Sequence, residues 1–196
     1  DLDVAVLKKA YDGLEPELTR FLEYSAPDWI IYDFAPYWLP PIAAKLNISK
    51  SFFSIYSAFS MAFLAPPFEA LIAGADPRTK VEDFTVPPKW IPFESKVAFK
   101  LHESRWMLES RNLDGSGVSD LYRVGSVVKG ADVILMRYCR EFEGQWLKLV
   151  EDLHPRPFIP VGLMPPPVEK NSLENNESWT AIKDWLDGQG KGSVVY

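Results

Sequence analysis

The sequence is poor in the residues that most often build metal and redox sites. Cys139 is its only cysteine, and His102 and His154 are its only histidines. A single cysteine allows no internal disulfide and fits a reducing compartment, so we expect a cytoplasmic protein. No cluster of cysteine and histidine has the spacing of metal ligands, and we therefore expect neither a bound metal nor a resident cofactor.

Two further classes of protein are disfavoured by what is missing along the chain. The net charge is -6 and no basic run with interleaved aromatic residues occurs, which argues against a nucleic-acid-binding surface. The longest apolar candidate for a membrane span, residues 58–72, is interrupted by Pro66 and Pro67. With 47% hydrophobic and 14% aromatic residues, the chain should instead fold around a substantial globular core.

Two familiar catalytic patterns are also absent or out of place. A G-x-S-x-G nucleophile elbow does not occur, since residues 115–117 (GSG) have the wrong spacing and follow no predicted strand. Residues 188–193 (GQGKGS) resemble a phosphate loop, but the lysine is followed by glycine. That segment also follows a predicted helix and precedes a strand, the reverse of a phosphate loop, so we interpret it as a flexible turn.

The most informative stretch is residues 28–57. An apolar run at 29–32 has the length and composition of a buried strand, and Asp33 follows it directly. A segment with helical spacing comes next, and then a second apolar run at 51–56. Strand, helix and strand in this order form a βαβ unit, which predicts a parallel sheet. Ligands bind such sheets beyond the carboxyl ends of the strands, where Asp33 is expected to lie.

The rest of the chain continues the alternation, so the predicted class is α/β, with a parallel sheet flanked by helices. Residues 164–176 are rich in proline and then polar, which predicts a linker. The other predicted elements are helices at 4–24 (with a break near Pro16), 58–65, 97–110, 118–129, 141–153 and 177–187, strands at 132–136, 158–161 and 193–196, and a long surface loop at 76–92.

Asp33 has two possible roles on this pattern. It could cap the following helix, because aspartate is a favoured N-cap residue, and pattern alone favours this role. It could instead orient a catalytic imidazole and stabilise its charged form. Of the two histidines, we expect His154 in an exposed loop and His102 in a helix without a neighbouring nucleophile.

Three further residues with reactive side chains have ordinary structural interpretations. Glu141 and Glu143 fit a solvated first helical turn, because acidic side chains are favoured there. Cys139 lies between two arginines in the sequence, but no base is in view, so we interpret it as structural.

Several stretches together resemble one family, the plant UDP-dependent glycosyltransferases that modify small molecules. The matching stretches occur in the family's order, and the resemblance covers essentially the whole chain. Within the family the chain looks like the branch that often adds a further sugar, including rhamnose, to flavonoid or triterpenoid glycosides. The stretches are residues 28–36 (DWIIYDFAP), 43–49 (AAKLNIS), 137–142 (RYCREF), 160–166 (PVGLMPP) and 185–196 (WLDGQGKGSVVY).

This resemblance implies a domain organisation. Family members have two Rossmann-like domains, the GT-B architecture, with the acceptor in the N-terminal domain and the UDP-sugar in the other. Residues 1–163 would then be most of the acceptor domain, without its first strand. Residues 164–177 would be the linker, and 178–196 the start of the donor domain. The chain is thus expected to be a fragment, incomplete at both ends, of a protein that is monomeric when complete.

The resemblance also implies a mechanism: inverting, metal-independent sugar transfer to an acceptor hydroxyl. Asp33 falls on the family's catalytic aspartate, which stabilises a histidine base that belongs upstream of Asp1. UDP-sugar is a co-substrate, and Ser57 (alternatively Ser54) falls on a residue near the sugar. The donor-binding segment belongs beyond Tyr196, so the chain alone is expected to be inactive.

Two other functions stay open at this point. The chain could be a stand-alone domain that binds a small molecule and transfers nothing. It could also be an unrelated α/β hydrolase-like enzyme that uses His102.

Overall fold

The computed structural model describes residues 2–64, 68–113, 115–163 and 177–194. Contacts between Cα atoms divide the chain into two units, Asp1–Leu163 and Met164–Tyr196. Of the predicted linker, residues 164–176 lie outside the described residues. The second unit contains one described helix, α9 (Glu177–Asp187), and residues 193 and 194 are not in a strand. The remainder of the strand predicted at 193–196 lies outside the described residues.

The first unit is built on a parallel sheet, which confirms the predicted α/β class. The described part of the chain forms four strands in the spatial order β1-β2-β3-β4, and all three neighbouring pairs are parallel. The strands are β1 (Trp29–Tyr32), β2 (Ser49–Ser54), β3 (Val133–Met136) and β4 (Phe158–Pro160).

Helices connect the strands at nearly the predicted places. Pro16 lies in the first turn of α2, where its missing N–H is tolerated, so the predicted break near this proline is confirmed. Beyond the sheet, Val81–Phe84 forms a short 3-10 helix. The helices of the first unit are α1 (Leu2–Asp12), α2 (Glu15–Ser25), α3 (Leu39–Lys45), α4 (Ala58–Leu64), α5 (Phe68–Ile72), α6 (Leu101–Glu109), α7 (Asp120–Gly130) and α8 (Arg140–Leu153).

The core lies on the central strands and the helices that cover them. Phe52 of β2 and Ile134 of β3 are buried, and so are Val127 of α7 and Val150 of α8. The strand predicted at residues 29–32 is confirmed, but its predicted burial is wrong, because Trp29 and Ile31 are exposed while Tyr32 is buried. β1 pairs only with β2 in the described sheet, so it is an edge strand there.

The prediction of a surface loop at 76–92 is also wrong in part. The segment has little regular structure, but Asp76, Arg78 and Phe84 are all buried. Their burial has a physical cause: the Arg78 guanidinium is paired with Asp76 and stacks on Phe84, 4.6 Å from the ring centroid. A charge that is paired and packed in this way can enter the interior, which proline content and lack of periodicity do not reveal.

Candidate functional site

The two predicted site residues lie at the same edge of the sheet. Asp33 follows the last residue of β1, and Ser57 lies just beyond the end of β2. These two strands are parallel and in register, with Tyr32 opposite Phe52, so their carboxyl ends point to one edge. That edge is where parallel sheets bind ligands.

Asp33 does not cap a helix, so the capping hypothesis is wrong. Helix α3 begins at Leu39, its N-cap residue is Trp38, and no side chain caps it. Asp33 is exposed, and its Oδ1 accepts a hydrogen bond of 2.9 Å from the backbone N–H of Ala35. The chain turns away from the strand before the helix starts, which leaves the carboxylate at the sheet edge. Its second oxygen makes no hydrogen bond within the described residues.

The turn after Asp33 is held by a buried arginine of α7. Arg123 is 1% exposed, and its Nη1 donates hydrogen bonds of 2.9 Å to the Ala35 carbonyl and 2.8 Å to Asp12 Oδ1. Its guanidinium also lies over the ring of Tyr37, at 4.9 Å from the centroid. The sequence analysis did not identify this residue, although an arginine four positions before the apolar Val127 shares its helix face.

The negative charge of Asp33 affects Tyr11, a side chain of α1. The pKa of Tyr11 is raised, first by its partial burial and then by the negative charges of Asp33 and Asp12. Tyr11 in turn packs against Trp38, with 6.2 Å between ring centroids. The surroundings of Asp33 therefore include the end of α1 as well as the sheet edge.

Ser57 sits at the start of α4. Its Oγ donates to Ser60 Oγ at 2.9 Å, and its carbonyl accepts from the Met61 N–H at 3.0 Å, as expected at a helix N-terminus. Ser57 is half-buried, whereas the alternative Ser54 is 1% exposed and lies next to the Tyr56 carbonyl. Of the two serines, Ser57 is the one that a ligand at this edge could contact.

Glu143 binds the N-terminal end of α4. The prediction that it lies in a solvated first helical turn is therefore wrong. Its carboxylate is buried, and Oε2 accepts from the Ala58 N–H at 3.1 Å. Burial raises the pKa of Glu143, while hydrogen bonds from Ala58 and Phe59 act in the opposite direction. Glu143 has non-helical backbone angles (φ -136°, ψ 34°), and this kink in α8 accompanies the inward position of its side chain.

A cavity of about 430 Å³ opens beside these residues in the first unit. Phe34, the neighbour of Asp33, forms part of its wall, and α4 supplies several more lining residues. Most of the lining side chains are apolar, and among the described lining residues only Asp120 carries a charge. The lining residues are Phe34, Tyr56, Phe59, Ser60, Met61, Phe63, Leu64, Leu71, Val97, Ala98, Phe99, Trp106, Met107, Ser110, Asp120, Leu121 and Val124.

Two residues of the 76–92 segment donate hydrogen bonds to the C-terminal end of α4. The indole N–H of Trp90 donates to the Ala62 carbonyl at 2.8 Å. Arg78 donates to the carbonyls of Phe63 and Leu64 at 2.8 and 3.1 Å. These bonds satisfy carbonyls that a helix leaves without partners at its C-terminus. The cavity wall formed by α4 is thus fixed at both ends, by Glu143 and by this segment.

The remaining residues singled out from the sequence do not join this site. His102 is exposed on α6 and does not line the cavity. His154 is completely buried at the end of α8, so the prediction of an exposed loop residue is wrong. Its ring is tilted against that of Phe158, with 6.4 Å between the ring centroids. Cys139 is half-buried just before α8 and makes no side-chain capping bond.

The described residues offer neither a metal-binding cluster nor a membrane-spanning helix. No group of three or more His, Cys, Asp and Glu side chains is arranged to hold a metal ion there. No helix among the described residues is long and apolar enough to cross a membrane.

Comparisons with known proteins give one consistent result. No family model matches the chain. UDP-glycosyltransferase 91D1 of Stevia rebaudiana is 50% identical over 194 residues, which is 99% of this chain and 39% of the relative. Soyasaponin III rhamnosyltransferase of Glycine max is 35% identical over 198 residues, covering 97% and 40% of the two proteins.

Among solved structures, UGT73P12 of Glycyrrhiza uralensis in complex with glycyrrhetinic acid 3-O-monoglucuronide has a TM-score of 0.46 and 16% identity. The match covers 90% of this chain and 35% of that one. The chain spans about two fifths of the length of the curated relatives it matches. The sequence relatives confirm the resemblance: by sequence the chain is a homologue of the plant UDP-glycosyltransferases.

Proposed function

We propose that this chain is the acceptor-binding part of an inverting UDP-dependent glycosyltransferase. The complete protein, of GT-B architecture, transfers a sugar from a UDP-sugar to a hydroxyl of a plant small molecule, without a metal. Residues 178–196 begin its donor domain. It is a cytoplasmic monomer. The sequence relatives favour this function over a stand-alone binding domain and over a hydrolase that uses His102.

One observation carries the proposal. The apolar cavity is bordered by the segment that holds Asp33 and by the helix that Ser57 begins. An apolar acceptor in the cavity could present a hydroxyl at the sheet edge, within reach of both residues. Apolar pockets with a few polar groups at one end are typical of small-molecule sites.

The chemistry follows from the position of Asp33. A histidine base from outside this chain takes the proton of the acceptor hydroxyl, and the oxygen then displaces UDP from the anomeric carbon of the sugar. The free oxygen of Asp33 accepts the N–H of that imidazole and stabilises the imidazolium as it forms. Because Ala35 and Arg123 fix the turn, the carboxylate is held in place before the substrate arrives.

The acceptor class rests on two supports. The cavity wall is apolar enough for the body of a flavonoid or terpenoid. One relative is named for a rhamnosyl transfer to soyasaponin III, which supports a glycoside of this kind as acceptor. Acceptor and UDP-sugar would meet only in the longer protein, so the chain alone should transfer no sugar.

The test is Asp33→Asn in the longer protein, with single-turnover transfer measured beside thermal unfolding. Asparagine keeps the shape and the bond to Ala35 but removes the charge. We expect the rate to fall by roughly a hundredfold or more while the melting temperature barely moves. Asp152→Asn, an exposed carboxylate of α8, is the control. A near-normal rate of the Asp33 variant would refute the assignment.

A further inference from the structure

Among the described residues that line the cavity, one carries a charge, and its position bears on which acceptors can bind. We propose that Asp120 is a specificity-determining residue that selects neutral, hydroxyl-bearing acceptors and disfavours acceptors that place a carboxylate at this wall. This inference rests on the proposed acceptor-binding function of the cavity. It adds a criterion, the charge of the ligand, that the apolar lining alone does not supply.

Asp120 is held so that one oxygen is occupied and the other is available. It is the first residue of α7, and its Oδ1 accepts a hydrogen bond of 2.6 Å from Lys8 Nζ of α1. Asp120 lines the cavity and Lys8 does not. Of this ion pair, only the acidic member is therefore a lining residue of the cavity. Oδ2 makes no hydrogen bond within the described residues and can accept one from a ligand.

The negative charge of Asp120 affects another residue that lines the cavity. Tyr56, another lining residue, has a raised pKa, caused first by burial and then by the negative charge of Asp120. The charge that disfavours a tyrosinate in the cavity would disfavour a ligand carboxylate for the same reason. A neutral hydroxyl has the opposite preference, because it can donate a charge-assisted hydrogen bond to Oδ2.

The surrounding wall increases this discrimination. Leu121 and Val124 of α7 and Trp106 and Met107 of α6 line the same cavity and offer an anion no compensating positive charge. Interactions between charges are stronger where apolar groups exclude water. A ligand carboxylate would lose its hydration and meet a like charge. We therefore expect discrimination of about tenfold or more between matched neutral and anionic ligands, which corresponds to about 1.4 kcal/mol.

The experiment uses two fluorescent probes with the same apolar body, 1-pyrenemethanol and 1-pyrenecarboxylate. Their dissociation constants are measured by fluorescence titration of the longer protein at neutral pH, without UDP-sugar. The wild type should bind the alcohol about tenfold or more tightly than the carboxylate. Asp120→Asn, which keeps the shape and an acceptor oxygen, should bring the ratio close to one, chiefly by strengthening carboxylate binding.

Three variants complete the design. Lys8→Met removes the cation behind Asp120, so the ratio should rise above that of the wild type. Asp152→Asn removes a carboxylate that is likewise paired with a lysine but lies on the exposed surface of α8, and it should leave the ratio unchanged. Val124→Trp places a large side chain in the cavity and should weaken both probes, which shows that they bind there.

The outcomes separate this inference from the function on which it rests. If Val124→Trp weakens both probes but Asp120→Asn leaves their ratio unchanged, the role of Asp120 is wrong and the acceptor cavity stands. If neither probe binds, or if Val124→Trp has no effect, both the inference and the acceptor function of the cavity are wrong. A ratio that falls with Asp120→Asn and rises with Lys8→Met supports the proposal.

Discussion

Arg123 and Asp12 are joined by two parallel hydrogen bonds, Nη1 to Oδ1 at 2.8 Å and Nη2 to Oδ2 at 2.6 Å. The pair links α7 to the last residue of α1. The same guanidinium binds the Ala35 carbonyl in the turn after Asp33. The guanidinium is buried and the carboxylate half-buried, and an ion pair of this geometry is costly to break from one side, because the remaining charge is left without its partner.

Replacing Arg123 should therefore destabilise the fold. For Arg123→Met we expect a loss of about 3–5 kcal/mol in the free energy of unfolding, measured by chemical denaturation. Arg20→Met is the matched control, since Arg20 pairs with Glu17 on the exposed face of α2. Such surface pairs contribute about 1 kcal/mol or less. Equal losses for the two variants would contradict the role given to Arg123.

The raised pKa of Glu143 predicts that the stability of the fold depends on pH. Burial raises its pKa above the ordinary value of 4.5, so the folded protein holds this proton more tightly than the unfolded chain. Its contribution is then fully present below pH 4.5 and is lost as the pH rises through the folded pKa. Glu143→Gln removes this loss, so the stability of the variant relative to wild type should increase as the pH is raised from about 4 to 8.

The measurement is a series of denaturation curves across that pH range. Glu141→Gln, at an exposed position in the first turn of the same helix, is the control and corrects for the change in net charge. The interpretation fails if the relative stability of the Glu143 variant falls with pH, or if it changes no more than that of the control.

Gly130 predicts a steric effect where α7 meets α3. A Cβ atom at Gly130 would lie 2.2 Å from the Cβ of Pro40, far inside normal contact. Gly130→Ala should therefore cost about 1–3 kcal/mol of unfolding free energy. Gly144→Ala, in an open and exposed part of α8, should instead gain about 0.5–1 kcal/mol. Stabilities that change in the same direction would contradict this difference.

Much of the fold could be predicted because it depends on local patterns. The apolar run at 29–32 became β1 without a change in its bounds, and the helix predicted at 118–129 was observed at Asp120–Gly130. The order strand, helix, strand placed Asp33 at the carboxyl edge of the sheet. Periodicity and turn residues carry this information within a few neighbouring positions.

The parts that were missed depend on partners distant in sequence. Glu143 is buried because its carboxylate binds the N–H of Ala58, 85 residues away, and an acidic residue in a first turn gives no sign of this. Arg78 enters the interior because the carbonyls of Phe63 and Leu64 and the carboxylate of Asp76 surround it. The cavity could not be predicted from the sequence for the same reason, because its wall combines segments that are distant in the chain.

The last prediction concerns the two serines near the end of β2. Ser57 is half-buried at the start of α4, whereas Ser54, the last residue of β2, is 1% exposed. If Ser57 contacts the sugar, Ser57→Ala in the longer protein should raise the KM for UDP-sugar several-fold. The Oγ of Ser57 also accepts a capping hydrogen bond of 3.4 Å from the Ser60 N–H, and loss of this bond should cost about 1 kcal/mol of stability.

Ser54→Ala is the matched control. Because Ser54 is out of reach of a ligand, its removal should alter stability but leave the KM for UDP-sugar unchanged. Both variants are measured for donor and acceptor KM and for denaturant midpoint. If Ser57→Ala lowers stability without changing the donor KM, Ser57 is only a helix cap. If Ser54→Ala alone changes the donor KM, the sugar contact belongs to Ser54, and the strand end rather than the helix start lies closest to the donor.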